Sequence, residues 1–128
     1  EYHGKFVDFP PMMTWPKPMQ KPHPPIIVGG AFPYGAKRAI AYGDGWVPLA
    51  RPGLDILDQL PKFRQMAAEA GREPESLPIS IFYAAPDLAA MERWRTASVA
   101  RAVAMLPSAK ADVVLPILDN WADIIRRL

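Results

Sequence analysis

The sequence predicts an α/β protein in which four β-strands alternate with four helices, a (βα)4 unit carrying a parallel sheet. Three observations carry that expectation. Apolar β-branched runs recur along the chain, most plainly at Ile26-Ile27-Val28 and Val113-Val114-Leu115. Between them lie stretches of helical period, as at Leu54, Leu57, Leu60, Phe63 and Ala67. Glycines fall where one pattern gives way to the next, at Gly29-Gly30, Gly43 and Gly71. Strands alternating with helices in this way imply parallel pairing through crossover helices.

Residues 1–25 hold seven of the sixteen prolines, which rules out a central strand or a long helix there. We expect an extended Pro-rich arm, separate from a domain at 26–128. Its aromatic residues Tyr2, Phe6, Phe9 and Trp15 would anchor it on a surface; the alternative is a loosely held linker. Residues 26–30 read as the first strand and 34–43 as a helix with Ala36, Ala39 and Ile40 on one face. Residues 45–49 form the second strand, Pro52-Gly53 a turn, and 54–70 a helix stopped by Gly71 at its C′ position. The third strand is 78–84. A helix over 87–106 follows, with Asp87 as N-cap. The fourth strand is placed at 112–117. The last helix is placed at 120–128, capped by Asp119 or Asn120, with Arg126-Arg127 near its C-terminal end.

Four βα units are half of the eight in a TIM barrel, and four open parallel strands leave two edges unprotected. The expected fold is therefore half of a TIM barrel, completed by self-association or by a missing N-terminal half. A chain that opens at Glu1 fits a piece of something longer.

Composition narrows the partners. The 128 residues are half hydrophobic, enough for a sizeable core. The net charge of +2, without a basic cluster interleaved with aromatics, gives no argument for nucleic acid. The absence of cysteine excludes disulfides and Cys-ligated zinc or iron–sulfur sites. No apolar run reaches membrane-span length and no signal peptide is seen, so we expect a cytoplasmic protein without a membrane partner. His3 and His23 lack a second ligand at suitable spacing, and no metal is assigned. Ser80, Ser98 and Ser108 lack a nucleophile-elbow context and a base.

The chemistry-bearing feature is the glycine pair at the end of the first strand. Gly29 and Gly30 let a backbone approach a ligand closely, and a helix N-terminus just beyond suits an anion. The same spacing also fits a tight strand–helix turn with no ligand. Gly29, Gly30, Ala31, Tyr34, Gly35 and Arg38 are the candidate cofactor-binding residues; Lys37 is a second candidate cation. Asp44 sits at a strand start, away from the expected active face, and reads as a structural turn residue. Trp46 reads as core.

At this point the residues resemble a known family. The run Trp15-Pro16-Lys17-Pro18-Met19-Gln20-Lys21-Pro22-His23-Pro24-Pro25 leads into Ile26-Ile27-Val28-Gly29-Gly30. Ala36-Lys37-Arg38-Ala39 and Tyr42-Gly43-Asp44-Gly45-Trp46 follow. Together they resemble the C-terminal half of luciferase-like monooxygenases, closest to the branch that uses the deazaflavin coenzyme F420. His3-Gly4-Lys5-Phe6-Val7-Asp8-Phe9 and Ala111-Asp112-Val113-Val114-Leu115-Pro116 extend the likeness over nearly the whole chain. The resemblance implies a TIM barrel of which this chain supplies units five to eight. It implies F420 or FMN as cofactor, held by its phosphate at the strand-end glycines, and a small organic substrate. Phe32 and Tyr34 are bulkier than the small or hydroxyl residues many members carry there. Most substrate and ring contacts belong to the family's first half. A non-catalytic half-barrel that self-associates is the alternative reading, and catalytic residues are not assigned.

Overall fold

The structure, a computed structural model, describes residues 1–49 and 55–128. The proline-rich start forms a short hairpin, β1 (Tyr2–His3) against β2 (Asp8–Phe9), and then runs irregularly to residue 26. The Tyr2 and Phe9 rings approach to 6.1 Å. Phe6 and Trp15, expected as anchors, stand exposed, so the arm finds no apolar seat for them among the described residues.

The elements then alternate. β3 (Ile27–Gly30) is followed by α1 (Tyr34–Tyr42), β4 (Gly45–Pro48), α2 (Leu60–Glu69) and β5 (Ser80–Ala84). α3 (Leu88–Thr96), β6 (Arg101–Ala104) and α4 (Ala111–Arg127) complete the chain. β3 pairs with β4 and β5 with β6, both in parallel. A parallel bridge between Trp46 and Ile79 links the two pairs. The result is a mixed α/β fold with short parallel sheets.

The register decides which face is buried. Val28 lies beside Trp46, and Trp46 is wholly buried against α2, its ring stacked on Phe63 at 4.8 Å. Ala36, Ala39 and Ile40 of α1 and Leu60, Phe63 and Ala67 of α2 close the same core, at the helical spacing read from the sequence. Side chains alternate along a strand, so Ile27 and Phe82 point to the opposite face. They remain 39% and 47% exposed. A second cluster of Ala84, Met91, Trp121 and Ile124 packs α3 and α4 against the end of β5.

Several element boundaries are as expected. Asp44 ties the strand starts together, its carboxylate accepting from the Ile26 amide at 2.8 Å while its own amide donates to the Ile26 carbonyl. Gly71 has φ +72°, and the Gly71 and Arg72 amides donate to the Ala68 and Ala67 carbonyls, closing α2 with a left-handed cap. Asp87 caps α3 by accepting from the Ala89 and Ala90 amides. The helix expected over 54–70 is a 3₁₀ turn, Ile56–Gln59, continued by α2. The turn at Pro52-Gly53 and the first helical leucine, Leu54, lie outside the described residues.

Two expectations are corrected. The helix over 87–106 ends at Thr96, and the fourth strand is 101–104, not 112–117. Ser98, at φ +59°, forms a left-handed cap in which Val99 donates back to the Trp94 carbonyl, and the chain turns out of the helix there. Residues 112–117 belong instead to the first turns of α4, which runs unbroken to Arg127, with Lys110 at its N-cap and Leu128 at its C-cap. Val114, Ile117, Trp121 and Ile124 share one helical face, and that burial outweighs the β-branched run and Pro116. Pro116 is exposed and sits within the helix, where it removes one backbone donor.

Candidate functional site

The C-terminal end of β3 is shaped by two glycines that must stay glycine. Gly30 has φ +146°, open only to a residue without Cβ. A Cβ on Gly35 would lie 2.3 Å from the Gly30 carbonyl oxygen and 2.7 Å from the Gly30 Cα. The first turn of α1 is thus seated directly on the strand end. Trp46 holds it there: the buried indole donates to the Gly30 oxygen at 3.0 Å. The Gly35 amide donates to the Ala31 carbonyl at 2.7 Å.

Gly29 behaves differently. A Cβ there would meet nothing within 4 Å. Beside it stands Arg38, whose Nη2 donates to the Gly29 carbonyl at 3.1 Å while the side chain remains exposed. Among the described residues, the amides of Ala31, Phe32, Tyr34 and Ala36 have no hydrogen-bond partner. Pro33, at the N-cap of α1, has no amide to offer, and no acidic residue occupies the helix's first turn. Open space over Gly29, the start of α1 and the Arg38 guanidinium therefore all lie at one end of β3. Such an arrangement attracts an anion.

The candidates read from the sequence separate on this geometry. Gly29, Gly30, Ala31, Tyr34, Gly35 and Arg38 all surround the end of β3. Gly30 and Gly35 serve close packing, Gly29 leaves room, and Arg38 supplies charge. The Tyr34 ring is mostly exposed. Lys37 turns away, into a cavity of about 790 Å³ between α1 and α2 lined by Phe32, Ile40, Lys62, Met66 and Arg72. Arg72 is tied there to the Ile40 and Gly43 carbonyls. The indole of Trp46 has a positioning role that the sequence reading missed. Its signal was present, because a buried indole N–H needs an acceptor.

Two strands away, β5 ends irregularly. Phe82 pairs with Val103 and Ala84 with Ala104, leaving Tyr83 as an extra residue in a bulge, at φ +59° and 73% exposed. Below it Asp55 accepts from the Leu57 amide at 2.9 Å and from Arg93 at 2.5 Å. The amide first, and the guanidinium next, hold the Asp55 carboxyl below its ordinary value.

Comparison with known proteins identifies a family. Residues 1–118 match the family described as luciferase-like monooxygenase. Uncharacterized proteins of Mycobacterium bovis and of two strains of Mycobacterium tuberculosis are 34% identical over 128 residues, 94% of this chain. The chain spans 42% of the length of these relatives. It belongs to the luciferase-like monooxygenase family.

Proposed function

We propose that this member of the luciferase-like monooxygenase family supplies the phosphate-anchoring (βα)4 half of a flavin- or deazaflavin-dependent oxidoreductase. The observation that carries the reading is the strand end at Gly29, with open space above it and the Arg38 guanidinium at its side. The residues fit a cofactor phosphate: the amides of Ala31, Phe32, Tyr34 and Ala36, without a partner among the described residues, and the charge of Arg38 would hold it. When bound, F420 supplies hydride transfer at its ring and reduced FMN supplies reaction with O₂; both carry a phosphate for the same cradle. This chain's residues bind and orient the cofactor and help exclude water from it.

The proposed whole is a TIM barrel acting on a small organic substrate in the cytoplasm. The Pro-rich arm at 1–25 leads into a half-barrel at 26–128, whose open face, carrying Ile27 and Phe82, is covered by a second copy or by the remainder of a longer chain. Parallel sheets are covered on both faces, which this chain alone does not achieve. A self-associating half-barrel without catalysis is the second reading, and the exposed apolar residues on that face favour it.

The test is a titration with FMN and with F420, following the visible spectrum of each. Arg38→Gln removes one charge-assisted contact and should weaken binding about tenfold. Equal affinity of Arg38→Gln and the parent for the bound cofactor overturns the assignment.

A further inference from the structure

We propose that Tyr83 is an aromatic platform for a planar ring held over the C-terminal strand ends. This inference rests on the cofactor reading above, since it takes those strand ends as the ligand face. Three features of the structure meet at this residue. It is the unpaired residue of a bulge in a parallel strand pair, a pairing in which bulges are rare. It holds φ +59°, a left-handed conformation that only glycine adopts routinely. Its ring is 73% exposed, so burial of the ring does not compensate the strain.

Ser98 is the other non-glycine residue with positive φ among the described residues, and it has a structural explanation in the cap that ends α3. No such cap accounts for Tyr83. Strain that packing does not explain collects where a side chain must be aimed. The bulge breaks the in-and-out alternation of β5, so Tyr83 does not follow Phe82 to either regular face.

Position fits the ring of a phosphate-anchored cofactor. β3, β4 and β5 are successive neighbours whose register sets Gly30 level with Ile81, so Tyr83 lies ~10 Å across the sheet and ~7 Å further along it, roughly 12 Å from the end of β3. The ribityl chain between phosphate and ring spans such a gap. A cavity of about 300 Å³ opens beside Tyr83, bounded by Ile56, Ile81, Phe82 and Trp94, and offers an apolar wall to a ring edge. Its carboxylates are already engaged, Asp55 by Arg93 and the Leu57 amide, and Asp87 by the start of α3. The site therefore suits an uncharged π-face, either the cofactor's own ring or a ring-bearing substrate laid beside it.

The experiment compares the parent with Tyr83→Gly and Tyr83→Asn, both of which accept a left-handed backbone. Thermal melts should not fall for Tyr83→Gly, because glycine relieves the strain. In the first arm FMN and F420 are titrated and the emission of the bound cofactor is recorded. Loss of the Tyr83 ring should weaken binding roughly threefold to tenfold and raise the emission of the bound ring. In the second arm the cofactor-loaded protein is titrated with 1-naphthol, an uncharged planar probe. Unchanged cofactor binding with weakened naphthol binding assigns the platform to the substrate. No change in either arm, with both variants folded, overturns the role of Tyr83 and leaves the phosphate site standing. Failure of the parent to bind either cofactor overturns both proposals.

Discussion

The two glycines of the β3–α1 junction should respond oppositely to the same added methyl group. Gly35→Ala places a Cβ 2.3 Å from the Gly30 oxygen and 2.4 Å from its carbonyl carbon. The clashing atoms are backbone, pinned by the Trp46 indole and the β3–β4 ladder, so no side chain can swing aside. Overpacking of this sort costs about 1–3 kcal/mol, and here the upper end applies. Alanine recovers about 1 kcal/mol through its better helix propensity. The net loss is about 2 kcal/mol. A chain of this size loses roughly 4 °C of melting temperature per kcal/mol, so Gly35→Ala should melt roughly 8 °C lower. Gly29→Ala meets no atom within 4 Å and should melt within a degree or two of the parent. The larger Gly29→Val should also fold, yet it fills the space where an anion would sit, and should lose most FMN or F420 affinity. Calorimetry and cofactor titration on the three variants decide the matter. A Gly35→Ala protein as stable as the parent would refute the close-packing argument. A Gly29→Val protein that is folded and binds normally would refute the anion site.

Further outcomes can be checked alongside. Trp46→Phe keeps an aromatic ring but loses the bond to Gly30, and should cost about 1–3 kcal/mol in denaturant unfolding. Pro116→Ala restores a donor inside α4 at an exposed position and should raise stability by up to about 3 kcal/mol with added helical circular dichroism; destabilisation would favour a strand at 112–117 instead. The depressed carboxyl of Asp55 gives stability that is full above its unfolded pKa of about 3.9 and is lost as pH falls through the folded value. Asp55→Asn should therefore flatten the acid side of the melting-temperature profile below pH ~4 and leave the neutral side with a constant offset. Sedimentation at micromolar concentration should show a dimer or larger species for the isolated chain, and a folded monomer would remove the argument from the open face.

The legible parts of the fold were those where local chemistry and tertiary packing agree. The Ile-Ile-Val-Gly-Gly strand, the capped helix after Asp87 and the Gly71 stop each needed only a neighbouring residue to explain them. The C-terminal quarter misled because two signals conflicted. Val113-Val114-Leu115-Pro116 resembles a strand end locally, but only Val114 of the run is partly buried, on a helical face that becomes visible when Ile117, Trp121 and Ile124 are counted with it. The true fourth strand, Arg101-Ala102-Val103-Ala104, is short, partly exposed and half alanine, with nothing in its composition to mark it. At the candidate site, the sequence grouped residues that do lie together at the end of β3, but gave Gly29 and Gly30 one role. Only the positions of Gly35, Trp46 and Arg38 around them show that one glycine serves the fold and the other leaves room.

That division has a consequence for how a ligand is held. Gly30 carries the backbone constraint, with its oxygen bonded to Trp46 and its Cα pressed by Gly35, so the strand end is rigid before anything binds. Arg38 stands close by, its guanidinium donating to the Gly29 carbonyl at 3.1 Å. A rigid cradle with a cation beside it loses little conformational entropy when an anion arrives, which favours affinity from few contacts. Among the described residues, nothing comparable surrounds Phe82 on the open face of the sheet, where the apolar side chain stays 47% exposed. In the proposed site the phosphate end is thus built by this chain alone, while the walls around the reacting ring beyond the Tyr83 side must come from whatever covers that face. Binding of a phosphate-bearing cofactor should consequently survive in the isolated chain better than turnover does.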